Sequence, residues 1–583
     1  MTDRISSRTC VLLLIFVVLG IYYPAIFAPI NSVDDPRTVT FLLNLDSFNL
    51  REIFAPGGVY FRPLLLLSFL ADSYLWGLQA SFMHLENVLF HLVNVLLLFA
   101  VARRAAVANA VDSVLAPLAV ALLFAVHPIN TESVNWISGR TDPLACMFIL
   151  LSAFFLLKPG GLSALTPWSS LFAALSLLAG CLAKETAIFF LPAAFIVPFF
   201  RQDRERLSLK ETALRNWPHL LIMVATGVLF LAYRRLGSVN NDAGLSCVAT
   251  RVAGSESSGL SHSAFLVFKA AGFYLKKIFL PLPLNFCIMH VSNLYLWVGG
   301  LVLLLTLWLL TRRTLVAFFF LCALSVSCSA LMIPLLNATW TPLAERYLYI
   351  PSAFFALGCV FGVERWQLQD RAKVVVTVAF AFILAAAVYT TSARTLLWQD
   401  NLALFQDTIK KSPEFVPAQN EIAVAYGALG QVGKANQILS SMVLPESLLN
   451  RQYGVLAKSQ VRLREGNLDA AQAILENALK TDPGREEVEF SRRLLALYEL
   501  KVAQGKARGS EFYPQSVHLL TRTYQLTHDP FYLYRLGSLH MQQKKYKEAS
   551  DNFRLAAERA PANAYYREPA LKLARKLADR TSP

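Results

Sequence analysis

The residues that could do chemistry in this chain are charged groups set against an apolar background. The segment 127–142 reads HPINTESVNWISGRTD and offers His127, Glu132, Arg140 and Asp142. A shorter polar break is Lys184–Glu185, and another ends in Glu345–Arg346 before Tyr347. The first long polar segment carries the adjacent pair Asp34–Asp35 and then Arg62, with His84 at the start of the next apolar stretch. Lys276 and Lys277 close an amphipathic stretch further on. Ionisable groups at membrane depth are costly and tend to mark a site. Paired carboxylates with several cations on one face suit transfer from an anionic lipid carrier. The cations hold a phosphate through charge-assisted hydrogen bonds, and a carboxylate takes the proton of an incoming hydroxyl. On this reading Asp34 is the base, and Asp35 orients the transferred group or holds a metal. Arg140, Lys184, Arg346, Lys276 and Lys277 are the phosphate candidates, unranked among themselves. Arg62, His84, His127, Glu132, Asp142, Glu185 and Glu345 orient them or the substrate. Two adjacent aspartates alone make a thin metal site, so a divalent metal is left open.

The elements that must position these groups follow from composition. Of 583 residues, 55% are hydrophobic and 16% charged, against about 25% charged in a soluble globular protein. The average hides two unlike parts. Residues 1–397 hold 28 Lys+Arg and 19 Asp+Glu, about 12% charged, whereas residues 398–583 hold 26 and 20, about 25%. A single soluble enzyme is excluded. Apolar stretches at 10–30, 84–101, 114–126, 143–157, 167–183, 186–200, 218–233, 293–310, 314–336, 347–362 and 374–391 predict eleven membrane spans. The stretch 264–284 contains three lysines and is expected to lie at the outer interface. The inner loops of this topology carry 15 Lys/Arg in 62 residues, and the outer loops 12 in more than twice that length. That bias places the N-terminus in the cytoplasm and the C-terminal part outside. The polar clusters above then all fall on the outer face, two of them in the long outer segments 31–83 and 234–292. The net charge of +15 divides into +9 and +6 without a dense basic run, so nucleic acid is not an expected partner.

The tail repeats with a period of 34. One unit runs from Val416 with Ala423, Tyr426, Gly430 and Ala435 in phase, and another from Gln452 with Ala471, Ala478 and Pro483. The clearest is Pro530–Pro561, with Gly537, Tyr546, Ala549, Phe553 and Ala556. Small residues at the eighth and twentieth positions let two helices approach, and a terminal proline stops the second. This is the tetratricopeptide pattern, and residues 485–529 read as a further, degenerate helical pair. Stacked repeats form a groove that suits an extended peptide.

Several blocks resemble a known family. VDDP, YFRPL, WGLQASFMHLENVLFHLVN, HPINTESVNWISGRTD, LAKE and AERYLYIPS, followed by tetratricopeptide repeats, are similar to the transmembrane and tetratricopeptide repeat-containing O-mannosyltransferase-like proteins. The resemblance implies an all-α, polytopic membrane bundle of the GT-C glycosyltransferase type with about 11 spans over residues 1–392. A soluble tetratricopeptide α-solenoid over residues 398–583 would follow it. It further implies a sugar, mannose in that family, moved from a polyprenyl-phosphate donor to protein Ser/Thr hydroxyls on the extracytoplasmic face. The family's acidic motif maps onto Asp34 and Asp35. Between that motif and Arg62 the chain reads IFAPGGVYF, which departs from the animal members. The implied partners are the bilayer, the lipid-linked sugar and an acceptor polypeptide in the repeat groove. The membrane would be a bacterial inner membrane, with the endoplasmic reticulum as the alternative. Two other classes compete with this reading. One is a non-catalytic tetratricopeptide scaffold for envelope protein assembly, and the other is a transporter or lipid flippase.

Overall fold

The computed structural model describes residues 6–31, 33, 35, 53–54, 62–108, 113–157, 165–200, 208–237, 260–336, 341–366, 368–428, 430–440, 448–481, 487–527, 529–560 and 566–581. Among them the chain is all-α apart from an isolated antiparallel bridge between Ile288 and Leu343. It divides into two compact units, Met1–Ser412 and Pro413–Pro583.

In the first unit a helix forms at each of the eleven apolar stretches: Ser7–Tyr22, Ala80–Ala108, Leu115–Ala125, Thr141–Leu156, Pro167–Ala183, Leu191–Phe200, Trp217–Gly237, Tyr295–Thr311, Leu315–Leu336, Tyr349–Arg365 and Asp370–Leu397. Among the described residues, seven helical stretches are long and apolar enough to cross a bilayer. An eighth arises if Leu115–Ala125 and Pro128–Asn135, bent by 47°, count as one. Four apolar helices are shorter: Pro63–Trp76, Pro167–Ala183, Glu185–Phe200 and Tyr295–Thr311. Their cores are built from small and aromatic residues, such as Ala102, Ala121, Ala145, Phe124, Phe319 and Phe354, all at or near zero exposure. The outward faces remain apolar, as with Phe16, Leu304 and Phe382, because lipid rather than water is the solvent expected there. Asp370–Leu397 is the extreme case. Little of its apolar length is buried by protein, and its C-terminal end makes its polar contacts.

The lysine-rich stretch folds as a helix, Leu260–Phe279, whose C-terminal end carries Lys276 and Lys277. It packs on Tyr295–Thr311 through two glycines. A Cβ on Gly299 would fall 1.9 Å from the Phe268 carbonyl oxygen, and one on Gly272 2.0 Å from that of Tyr295. No side chain fits there, so the backbones themselves are the interface.

The second unit is a row of helical pairs: Val416–Ala428 with Val432–Ser440, Leu448–Arg464 with Leu468–Thr481, Glu487–Ala503 with Tyr513–Thr527, and Pro530–Gln542 with Tyr546–Arg559. Arg567–Thr581 closes it. Gly430, Gly466 and Gly505 follow the first helices of the first three pairs with positive φ, the left-handed geometry a helix end favours. In the last pair Gly537 faces the ring of Phe553, which lies 2.8 Å from where a Cβ would be. The small residue at the eighth position therefore does what its spacing predicts. The degenerate pair at 485–529 also forms, its helices separated by a longer turn.

The glycine crossing gives a comparison with an internal control. Gly299→Ala is expected to lower the thermal unfolding midpoint of the full chain in detergent by several degrees, an overpacking cost of about 1–3 kcal/mol. Gly300→Ala, which meets open space, should leave it unchanged or raise it slightly.

Candidate functional site

The loops at the proposed outer ends of the helices share one design. Trp136 links Thr131–Asn135 to the 3₁₀ turn Ile137–Arg140 in an extended conformation. Lys184 and Ala344 are likewise extended just before the 3₁₀ turns Glu185–Phe190 and Glu345–Leu348. An extended residue, or one step of a 3₁₀ turn at roughly 120° per residue, aims neighbouring side chains in different directions. Acid and cation adjacent in sequence are therefore separated in space, and each takes its partner from another loop.

Glu185 does not hold Lys184. It accepts from Arg62, Oε2 from Nε at 2.8 Å and Oε1 from Nη2 at 2.6 Å. Lys184 instead donates to Asp142 Oδ1 at 2.6 Å. Glu345 does not hold Arg346. It accepts from Lys277 Nζ at 2.6 Å and from the Asn285 backbone N–H at 3.0 Å. Arg346 pairs with Glu132 through its guanidinium, and its backbone N–H donates to Glu132 Oε2 at 3.1 Å. Its Nη2 also donates to Thr341 Oγ1 at 2.6 Å and to Tyr347 OH at 3.1 Å. Acid and cation adjacent in sequence thus each take a partner from another element. All four acids lie in the first turn of a helix, where the helix dipole favours negative charge.

Arg140 is engaged on every side and has no side-chain exposure. Its Nη1 lies 2.7 Å from Asp72 and 3.3 Å from Glu86, Nε donates to Asn87 Oδ1 at 2.7 Å, and Nη2 to the Met83 carbonyl at 2.8 Å. Burial, then the neighbouring Glu86, pushes the Asp72 carboxyl upward against the pull of Arg140. A phosphate would have to displace this whole set, so the geometry assigns Arg140 to holding the helices Pro63–Trp76 and Ala80–Ala108 together. Lys277 is equally sealed, since its three N–H bonds go to Glu345 and to the carbonyls of Pro281 at 2.9 Å and Pro283 at 2.5 Å. Lys276 is half-buried and donates to the Leu282 carbonyl. Burial, then the neighbouring Lys277, pushes its ammonium down.

Two cations remain together. The Lys184 ammonium lies 5.9 Å and the Arg346 guanidinium 4.8 Å from the centre of the same Tyr347 ring. Lys184 makes one hydrogen bond among the described residues, to Asp142, which leaves two N–H bonds for an incoming anion. Trp136 lies under the other side of this group, 5.2 Å from the Arg346 guanidinium.

The acidic pair divides between described and undescribed residues. Asp34 lies outside the described residues. Asp35 is fully buried; its Oδ2 accepts from the Asn31 backbone N–H at 3.0 Å, and its Oδ1 from the Ser138 N–H at 2.9 Å and Oγ at 2.5 Å. A carboxylate with donors on both oxygens is a weak base and a good anchor. Asp35 thus ties the segment that follows the first helix to the loop of Arg140. His84 is buried near the backbone of Ala28, Pro29 and Asn135 without a well-formed hydrogen bond at either nitrogen. His127 is a capping residue: Nδ1 accepts from the Ile129 N–H at 3.3 Å and Nε2 donates to the Ile278 carbonyl at 3.0 Å. Among the described residues no three His, Cys, Asp or Glu side chains converge as a metal site would need. Sequence reasoning passed over Asp72 and Glu86. The signal was there, since a lone acid inside the apolar run PLLLLSFLADSYLW needs a buried cation to hold it.

Comparisons with known proteins extend this picture. The tetratricopeptide repeat family matches residues 532–563. Over 86% of its length the chain is 22% identical to human protein O-mannosyl-transferase TMTC3, covering 61% of that protein. It is 32% identical over 161 residues to mouse protein O-mannosyl-transferase TMTC1, and 41% over 132 residues to Tmtc2 of Drosophila melanogaster. Those stretches are 26% and 22% of this chain but only 17% and 14% of the relatives. Among solved structures, ArnT from Cupriavidus metallidurans bound to undecaprenyl phosphate aligns with 82% of this chain and 81% of its own, at 14% identity and a TM-score of 0.39. That likeness is too loose to fix the fold by itself.

Removing the buried guanidinium gives the test of this site's framework. Arg140→Gln strands the buried Asp72 carboxyl and leaves the part-exposed Glu86 without its cation, and should cost about 3–5 kcal/mol, read as loss of folded full-length protein on heating. Asp72→Asn in the same chain should restore part of the loss.

Proposed function

We propose that this protein is a membrane glycosyltransferase that moves a sugar, mannose by analogy with its relatives, from a polyprenyl-phosphate donor to Ser/Thr hydroxyls of a polypeptide. The observation that carries the reading is the convergence of Lys184 and Arg346 on Tyr347, beside the loop that Asp35 anchors. The similarity to protein O-mannosyl-transferases over most of the chain supports the reaction class.

In this mechanism the lipid phosphate sits against Lys184 and Arg346, which stabilise the charge that grows on it as it leaves. The acceptor hydroxyl oxygen attacks the anomeric carbon from the opposite side, with Asp34 taking its proton. The bond from the anomeric carbon to the phosphate oxygen breaks, and its electron pair departs with the lipid phosphate. A phosphate needs little protonation to leave, so one base and one cationic clamp suffice, and the configuration inverts. Asp35, through Ser138, anchors the segment that contains it to the loop of Arg140. Glu132 and Asp142 orient Arg346 and Lys184, and Arg62–Glu185 joins the first outer segment to the Lys184 turn. The excess of Lys and Arg in the inner loops supports eleven spans with the N-terminus in the cytoplasm and the repeats outside. The membrane would be a bacterial inner membrane or that of the endoplasmic reticulum. There the repeat groove would present the acceptor chain.

Transfer from a radiolabelled polyprenyl-phosphate sugar by the purified full chain tests the assignment. Asp34→Asn should lower transfer at least about 100-fold while donor binding persists. Lys184→Ala and Arg346→Ala should each weaken donor binding and transfer together by about 100-fold or more. Undiminished transfer by Asp34→Asn would remove the base, and no transfer by the wild-type chain would favour the scaffold reading.

A further inference from the structure

The polar site is tied to the helix that leads out of the first unit, and two consecutive residues make the tie. After the helix Leu260–Phe279 the chain turns through Pro281 and Pro283 and runs as a strap over residues 284–288, ending in the bridge between Ile288 and Leu343. Asn285 faces two ways. Its backbone N–H donates to Glu345 Oε1 at 3.0 Å, one residue from Arg346, and its side-chain Nδ2 donates to Ser412 Oγ at 2.9 Å. Ser412 Oγ passes the chain on to the Cys287 carbonyl at 2.8 Å, and Lys411 Nζ donates to the Leu284 carbonyl at 2.7 Å.

Phe286 repeats the connection in apolar form. Its buried ring meets Trp136 edge-on at 5.5 Å between centroids, and Trp136 is the ring against which the Arg346 guanidinium lies. The same Phe286 ring meets Trp398 at 5.6 Å and Phe405 at 5.9 Å. Phe405 belongs to the helix Asn401–Lys411, and Ser412 follows at its C-terminus. That helix is held from behind, because its Asp407 takes Arg394 of the preceding helix at 2.7 Å. Nearby, Asn401 Nδ2 donates to the Ile30 carbonyl at 2.9 Å and Gln399 Nε2 to that of Pro24 at 2.7 Å.

We infer that Asn285 and Phe286 are positioning residues, which set the Glu345–Arg346 half of the phosphate clamp from the helix Asn401–Lys411. Residues 398–412, which composition assigns to the soluble tail, are on this inference a working part of the membrane unit. Neither Asn285 nor Phe286 touches the lipid-linked substrate. Asn285 fixes Glu345, the residue that precedes Arg346 in the chain, and Phe286 fixes Trp136, the ring against which the Arg346 guanidinium lies. The inference rests on the clamp assigned above to Lys184 and Arg346.

Binding of decaprenyl phosphate to the full chain in detergent, followed by native mass spectrometry, separates the two claims. Wild type should bind and Arg346→Ala should not; if Arg346→Ala binds as wild type does, the clamp itself is wrong. Given a working clamp, Asn285→Ala is expected to weaken binding about 5- to 20-fold, a shift of roughly 1–2 kcal/mol as for one lost hydrogen bond. Ser412→Ala, which cuts the same bond from its far end and also removes the bond to the Cys287 carbonyl, should weaken binding at least as much. The double variant should be no worse than Ser412→Ala, since that change already removes the bond that Asn285→Ala loses. Ser412→Thr, which keeps the hydroxyl, should bind as wild type. If Asn285→Ala fails to fold, the Ser412 pair decides alone. Wild-type affinity in Ser412→Ala, or additive losses in the double variant, would overturn the inference.

Discussion

A cation with a few per cent of its surface exposed has no water to stabilise it, and this constraint organises the polar end of the membrane unit. Arg140, Lys184, Lys277 and Arg346 are all buried, and each is met by a carboxylate at ion-pair distance. Because no acid pairs with its sequence neighbour, every pair crosses from one loop to another. The ion pairs therefore act as cross-links. Asp142–Lys184 joins the second loop to the third, Glu132–Arg346 the second to the last, Lys277–Glu345 the amphipathic helix to the last, and Arg62–Glu185 the first segment to the third. Buried pairs of this kind contribute little net stability against an apolar replacement, yet losing one partner is severe. They set which loops meet, and the helices beneath them need not be long for the loops to register.

Within that lattice the cations separate by how fully they are engaged. Arg140 and Lys277 give their N–H bonds to carboxylates and carbonyls inside the chain, so they hold structure. Lys184 and Arg346 lie against one tyrosine ring, and the Lys184 ammonium has a single hydrogen bond among the described residues, to Asp142. A cationic pair over an aromatic ring, with acids behind to fix it, is suited to a phosphate that gains charge as it departs. The strap at 284–288 adds a support from the far side, which extends the membrane unit to Ser412.

Much of this was legible in the residues and some was not. Each of the eleven apolar stretches forms a helix, because lipid-facing helices must be apolar all round and that signal is local, whereas Pro63–Trp76 and Asn401–Lys411 lay outside them. Gly537, Ala549 and Phe553 announced the helical pair at Pro530–Arg559, because close packing demands small residues at fixed spacing. The clusters Glu132, Asp142, Lys184, Glu185, Glu345 and Arg346 were legible as a group but not as pairs. Partner choice depends on the direction of each side chain, which Lys184 and Ala344 set by their extended backbones. Asp72 was hidden inside an apolar run, and Phe286 looked like any other aromatic. Its role comes from three rings that lie more than a hundred residues away on either side in sequence.

The central claim is that Lys184, Arg346 and Tyr347 form the seat of a lipid phosphate. The most direct measurement is an experimental density map of the full chain prepared with a polyprenyl phosphate. The phosphate is expected beside the Tyr347 ring, in contact with the Lys184 ammonium and the Arg346 guanidinium, with the Asp142 and Glu132 pairs intact. A phosphate seated instead on Arg140 or on Lys276 and Lys277, with Tyr347 bare, would contradict it.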